Sequence, residues 1–195
     1  MEVSIERVQG VTHRLVPEIS QLLETTFPDC ERESIPDFLA DLEANRGPSL
    51  WVMTSHDGYL IGFARGFVFQ ASRRGFVVHI ALVPESRGKR LGEQLLKRVN
   101  EEMRTSCEGY EGMYLEVERL EDAVTDAERE SRRKRLAFFD RLGARLVSSE
   151  LIQPPSQPGQ PPVPLNLLFW GETAARDDEL LSDFYKGIAT IYRKF

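Results

Sequence analysis

Residues 76–99, FVVHIALVPESRGKRLGEQLLKRV, pass from one hydrophobic period to another. The run from Phe76 to Val83 is almost wholly apolar and stops at Pro84. A strand apolar at successive positions is covered on both faces, so it lies inside a sheet rather than at its edge. Beyond the loop, Leu91, Leu95, Val99 and Met103 recur every four residues. That spacing makes a helix with one apolar face, which must lie back against the sheet. The junction therefore demands a layered α/β architecture.

The flanking sequence supplies the other elements. EVSIERV alternates apolar and polar residues and predicts a first strand. Pro17 fits the first turn of a helix through Ile19, Leu22 and Leu23. Ser34 suits the N-cap of a second helix with Ile35, Phe38, Leu39 and Leu42 on its apolar face. SLWVMTS and YLIGFARGFVF flank His56-Asp57-Gly58 and read as a hairpin. GMYLEVE is a further strand. Thr125 and Glu128 form a capping box for a helix ending at Gly143. ARLVSSELI and VPLNLLFW are the last strands, and a helix spans about 175–193, apolar at Leu180, Leu181, Phe184, Ile188 and Ile191. The expected order is one strand, two helices, three strands, a helix, a strand, a helix, two strands and a closing helix.

Composition narrows the class. Over 195 residues, 41% apolar content is enough for a real core. Cys30 and Cys107 lack metal-ligand spacing and make no disulfide framework, so two free thiols in a reducing cytoplasm are expected, with no metal. The first residues have no secretory pattern and no run approaches a membrane span. A formal charge of -6 disfavours nucleic acid as a partner. It does not prevent a local basic patch from holding a small anion.

The loop Arg87-Gly88-Lys89-Arg90-Leu91-Gly92 is such a patch. Its glycines permit tight backbone geometry, the helix start adds unpaired N–H groups, and three basic residues add charge. The combination suits a phosphate or pyrophosphate. A plain strand-to-helix turn with solvated basic residues is the competing reading. Neither a Walker A sequence nor Gly-x-Gly-x-x-Gly is present, which counts against nucleotide hydrolysis and dinucleotide binding.

IALVPESRGKRLGEQLL resembles the acetyl-CoA-binding motif of the GNAT N-acetyltransferases, Gln/Arg-x-x-Gly-x-Gly/Ala between a strand and a helix. Arg90 stands at the first motif glycine, with Gly88 nearby, and this departure is expected to cost little if position 90 is ordinarily helical. RLAFFDRLGARLV is similar to the family's FYEKLGF segment. The resemblance implies an α/β (α+β) fold with a mixed, mostly antiparallel sheet splayed between its fourth and fifth strands. It covers residues 1–170, with 171–195 as a C-terminal helical extension of the same domain. It further implies that the N–H groups of residues 88–92 hold the CoA pyrophosphate, with Arg87, Lys89 and Arg90 adding charge. The backbone of Ala81, Leu82 and Val83 would pair with the pantetheine arm, and Phe139 would pack against that arm, with helix core as the other reading of Phe138 and Phe139.

The expected activity is acetyl-CoA-dependent N-acetylation of a small-molecule or peptide amine by direct attack. An alkyl amine arrives protonated, so a base must take its proton. On GMYLEVE, Tyr114, Glu116 and Glu118 share one face, and a polar face in mid-sheet suggests a cleft. Glu116 stands at the glutamate of a Leu-Glu-Val strand similar to that of ribosomal-protein N-acetyltransferases, which makes it the expected base. His79 is the alternative base, or else a satisfied core residue. Phe139 stands where the family often has a tyrosine acid, so Tyr114 is a substitute proton donor. The rival expectation is a non-catalytic acyl-CoA-binding sensor or interaction module. A homodimer is left open. The proline-rich stretch 153–164 is read as a stiff cap over the acceptor side or as a plain connector.

Overall fold

The structure is a computed structural model that describes residues 2–45, 47–157 and 159–191. Among the described residues, seven strands and five α-helices follow the predicted order. They are β1 Val3–Val8, α1 Val16–Thr26, α2 Ile35–Glu43, β2 Ser49–Ser55, β3 Leu60–Phe69, β4 Arg74–Leu82, α3 Leu91–Ser106, β5 Gly112–Glu118, α4 Asp126–Arg141, β6 Arg145–Gln153, β7 Val163–Gly171 and α5 Asp177–Ile191. The predicted end of the last helix, 192–193, and the Ile191 side chain lie outside the described residues.

Local chemistry sets several boundaries as expected. Pro17 lies in the first turn of α1. The Ser34 side chain accepts from Asp37 N–H and caps α2. Thr125 and Glu128 close both arms of the capping box on α4. Gly143 takes φ +82° after that helix, a conformation costly for other residues.

The sheet order is β1-β2-β3-β4-β5-β7-β6. All pairs are antiparallel except β4–β5. One face carries α3 and α4, whose Leu91, Leu95, Val99, Met103 and Phe139 pack with Trp51, Val77, Met113, Leu115 and Val117. The opposite face has two separate apolar clusters. Ile19, Leu23 and Phe38 of α1 and α2 pack on Leu50, Val52 and Phe63. Leu180, Phe184 and Ile188 of α5 pack on Phe69, Phe76, Tyr114 and Phe169. Between those clusters the face is polar.

Two irregularities make that polar zone. The parallel pairing of β4 with β5 stops at Val77↔Leu115, so the strands diverge toward their C-terminal ends. Residue partners also shift from Arg65↔His79 to Gly66↔Val77, leaving Val78 as an extra residue in β4. Val77 faces the α3 cluster and Val78 the α5 cluster. His79 then also faces the α1–α2 side, where its ring meets Phe27. A single bulge thus breaks the strict alternation of the strand and turns a histidine toward the gap.

Candidate active site

Past Val77 one edge of β4 has no strand beside it. Val83 N–H donates to Ile61 O on the β3 side, so strand alternation turns the peptide groups of Ile80 and Leu82 toward the open edge. Leu82 O already accepts there from Arg87 Nε at 3.2 Å. Of Ala81, Leu82 and Val83, the residues expected to pair with a pantetheine arm, only Leu82 turns its peptide groups to this edge, because Ala81 and Val83 face β3. The edge leads straight into the loop.

Within the loop, Gly88 has φ +76° and empty space where a Cβ would stand. No side chain caps α3. The first N–H groups of a helix have no partner inside it. At Gly92 a Cβ would meet Phe138 and Leu82 at 3.6–3.7 Å, ordinary contact. Position 90 departs from expectation: Arg90 is not helical but left-handed, with φ 58° and ψ 15°. The backbone thus keeps the turn that a glycine would adopt freely, and a residue with a side chain bears the strain.

The α4 segment also differs from its sequence reading. Phe139 is 3% exposed and belongs to the core between α3, α4 and the sheet. The ring near Gly92 and Leu82 is Phe138. Helix phase explains this: Leu136 and Phe139, three residues apart, turn toward the same core, and Phe138 packs at its margin, where it also reaches the loop at Gly92.

The gap itself is lined by charge. Glu116 projects from β5, and its Oε1 is shut off from solvent with no hydrogen-bond partner. Burial, then the nearby Glu31 carboxylate, pushes its pKa up to about 8. Glu31 is itself raised to about 7 by burial and by Glu118, against the pull of Arg135 and Arg132. Glu118 pairs with Arg135.

His79 is 2% exposed. Its Nε2 lies 3.1 Å from Glu31 O. A carbonyl only accepts, so Nε2 carries the hydrogen, and Nδ1 is left as a bare acceptor without a partner. Burial drives the His79 pKa down to about 4, so the ring is neutral at pH 7. Beside it, buried Arg65 pairs with Glu33 and lies over the Phe38 ring at 4.6 Å. Burial pushes the Glu33 carboxyl up, but the Arg65 guanidinium outweighs it and holds the pKa below the usual range.

Residues 27–33 form the roof. Phe27 packs on His79 with ring centroids 4.6 Å apart. Arg32 ties the turn to itself through Phe27 O, Glu33 O and Asp29. Gln157, from the proline-rich loop, donates to Asp29 O at 3.1 Å and Arg32 O at 3.0 Å. The proline-rich loop therefore braces the roof.

Tyr114 is not in the gap, which corrects its reading as an acid. It shares the β5 face with Glu116, but α5 covers it completely. Its hydroxyl lies 2.9 Å from Asp183 Oδ2 and 3.1 Å from Leu180 O. Burial and the Asp183 charge push its pKa up. The expected polar cleft is thus only as long as Glu116 and Glu118, because the closing helix fills the rest. Glu31, Glu33 and Arg65 escaped the sequence reading. Arg65 had a signal, a lone cation in the apolar stretch IGFARGF. Glu31 and Glu33 sit in a loop where charge is commonplace.

The acetyltransferase (GNAT) family model matches residues 16–127, which include β4, the loop, α3 and Glu116. The chain belongs to the GNAT acetyltransferase family. A search of curated proteins finds no match. Among solved structures, a GNAT-family protein from Bacteroides thetaiotaomicron has a TM-score of 0.76 at 21% identity, covering 97% of this chain and 98% of its own. The ribosomal-protein-S18-alanine N-acetyltransferase from Escherichia coli has a TM-score of 0.56 at 19% identity, covering 89% and 96%. The spermidine N-acetyltransferase from Vibrio cholerae, a dodecamer, has a TM-score of 0.60 at 14% identity, covering 87% and 94%. All three share the GNAT fold. No helix among the described residues is long and apolar enough to cross a membrane.

Proposed function

We propose that this GNAT protein transfers the acetyl group of acetyl-CoA to a primary amine by direct attack, with Glu116 as the general base. The observation that carries the reading is the unpartnered, solvent-closed Glu116 carboxyl in the gap between β4 and β5. Its pKa of about 8 suits the task. An ordinary carboxylate is roughly six units less basic than an alkyl amine, whereas this one is only about two units less basic.

The residues present fit acetyl-CoA. The N–H groups of Gly88 to Gly92 would hold the pyrophosphate, and the open space at Gly88 lets it approach the backbone. The edge of β4 at Ile80 and Leu82 would take the arm as an added strand. Bound there, acetyl-CoA supplies the thioester. Glu116 takes one proton from the ammonium. The freed amine then bonds to the acetyl carbon as the C–S bond breaks, and the amine's second proton ends on the thiolate sulfur. A thiol of pKa near ~8.5 leaves without an acid. That matters because Phe139 has no hydroxyl and the Tyr114 hydroxyl is bound under α5.

The same lack of a hydroxyl acid favours one rival, a non-catalytic acyl-CoA-binding module. A thiol-release assay with acetyl-CoA and a panel of primary amines separates them. Release that depends on the amine is expected. Acetyl-CoA binding without release from any amine supports the rival.

A further inference from the structure

Two carboxyls in the gap have no cation of their own. Among the described residues no hydrogen bond or ion pair reaches the Glu31 or Glu116 carboxylate, although four arginines lie close by. Arg65 is committed to Glu33, Arg135 to Glu118, and Arg32 to Asp29. Arg132 donates to Arg119 O. His79, the remaining basic group, is neutral and points its hydrogen at Glu31 O. The two carboxyls also come from different elements. Glu116 is fixed by β5, whereas Glu31 is brought over it by a roof held at Phe27, Arg32, Glu33 and Gln157.

An orphaned buried polar atom calls for an occupant that completes its bonding. Among the described residues there are three: Arg65 Nε, a donor on a guanidinium already paired with Glu33, and two acceptors, Glu116 Oε1 and His79 Nδ1. The two acceptors ask for a donor, and two carboxyls without a paired cation ask that it be cationic. A carboxylate placed beside them would add negative charge to a poorly solvated space whose two carboxyls already resist ionisation.

We propose that Glu31 and Glu116 together receive the acceptor's ammonium group, and that the acceptor is an alkyl ammonium with no carboxylate next to its amine nitrogen. The inference rests on the reading of this gap as the acceptor side of the enzyme. Glu31 holds the cation by charge-assisted hydrogen bonding while Glu116 takes the proton. When that proton has moved, the remaining charge is that of Glu31, with Glu118–Arg135 and Glu33–Arg65 already balanced on either side. Free amino acids are poor acceptors on this account, and amines whose neighbouring carbonyl is an amide are good ones.

Glycinamide and glycine make the test, because they differ mainly in that one group. Binding of each is followed at pH 7 by carbon NMR of protein labelled at the glutamate carboxyls. Glycinamide should bind and shift two glutamate signals, with glycine at least ten-fold weaker. Glu31→Gln should weaken glycinamide by roughly ten-fold or more, while the thermal shift given by acetyl-CoA stays unchanged. Glu31→Asp, which keeps the charge at shorter reach, should fall between. Should Glu31→Gln not fold, Glu31→Asp and the glycinamide-to-glycine ratio decide. Equal binding of glycine, unaltered binding in Glu31→Gln, or no binding of glycinamide overturns the inference. Binding that follows the expected pattern without acetyl transfer supports it and overturns the catalytic reading instead. Transfer whose glycinamide KM ignores Glu31→Gln does the reverse.

Discussion

Arg90 shows how far a motif constrains the backbone rather than the side chain. The left-handed conformation persists although the residue is not glycine. Such a conformation costs a non-glycine residue ~1–2 kcal/mol, and glycine gives part of that back through its looser unfolded state. Arg90→Gly should therefore raise Tm by a few degrees without ligand. Differential scanning calorimetry checks this, and an unchanged or lower Tm means the strain is already offset by contacts of the arginine. The departure at position 90 was legible in the sequence, but its conformation was not, because φ is set by where α3 must start. The same limit applies to His79. Its place on β4 was readable, yet the extra residue Val78 decides which way it points.

At the scale of elements, two loops are assigned separate tasks. On the proposed function the loop before α3 would hold acetyl-CoA through its backbone, so side-chain bulk there is the sensitive variable. Gly88→Val puts a β-branched residue at φ +76° and fills the open space above it. Acetyl-CoA should then lose its stabilising effect on heating, whereas Gly92→Ala should keep much of it, since its Cβ meets only ordinary contacts. The proline-rich loop should behave oppositely. Gln157→Ala removes two hydrogen bonds to the roof and should raise KM for the amine several-fold, with the acetyl-CoA shift intact. Steady-state kinetics with each substrate varied separates these outcomes. Element order, caps and the apolar faces of α3 and α5 were readable because periodicity and capping are local signals. The docking of the proline-rich loop was not, because it depends on one glutamine meeting backbone carbonyls more than a hundred residues away.

For the whole molecule, the gap is a cost to stability that the fold carries elsewhere. Three apolar clusters surround a polar zone in which Glu31 and Glu116 have folded pKa values above those of unfolded glutamate. A group raised on folding favours the native state while protonated, and that contribution is lost as pH rises toward the folded value. These two residues should therefore erode stability between about pH 4.5 and pH 8. Glu116→Gln removes one of them and should raise Tm at pH 9 by several degrees, with little change at pH 5. Thermal melts at the two pH values test this. Equal Tm changes at both would mean that the carboxyl is not raised in the folded state. Residues 76–99 carry the loop proposed to hold acetyl-CoA, and the fold could be read from them and their neighbours. The site's second carboxyl could not, because Glu31 reaches Glu116 only after α1 and α2 have folded over the sheet.

The central claim is that Glu116 removes the proton from the amine. The most direct measurement is the pH profile of kcat/KM for Glu116→Gln and the unaltered protein, using an amine shown to be acetylated. The unaltered enzyme should gain activity through an inflection near pH 8, where the free Glu116 carboxyl ionises. Glu116→Gln should be slower by roughly 10²–10⁴ at neutral pH, should lack that inflection, and should recover as the amine loses its own proton at higher pH. A Glu116→Gln profile that keeps the inflection and the rate would contradict the account. It would leave proton removal to water or to His79.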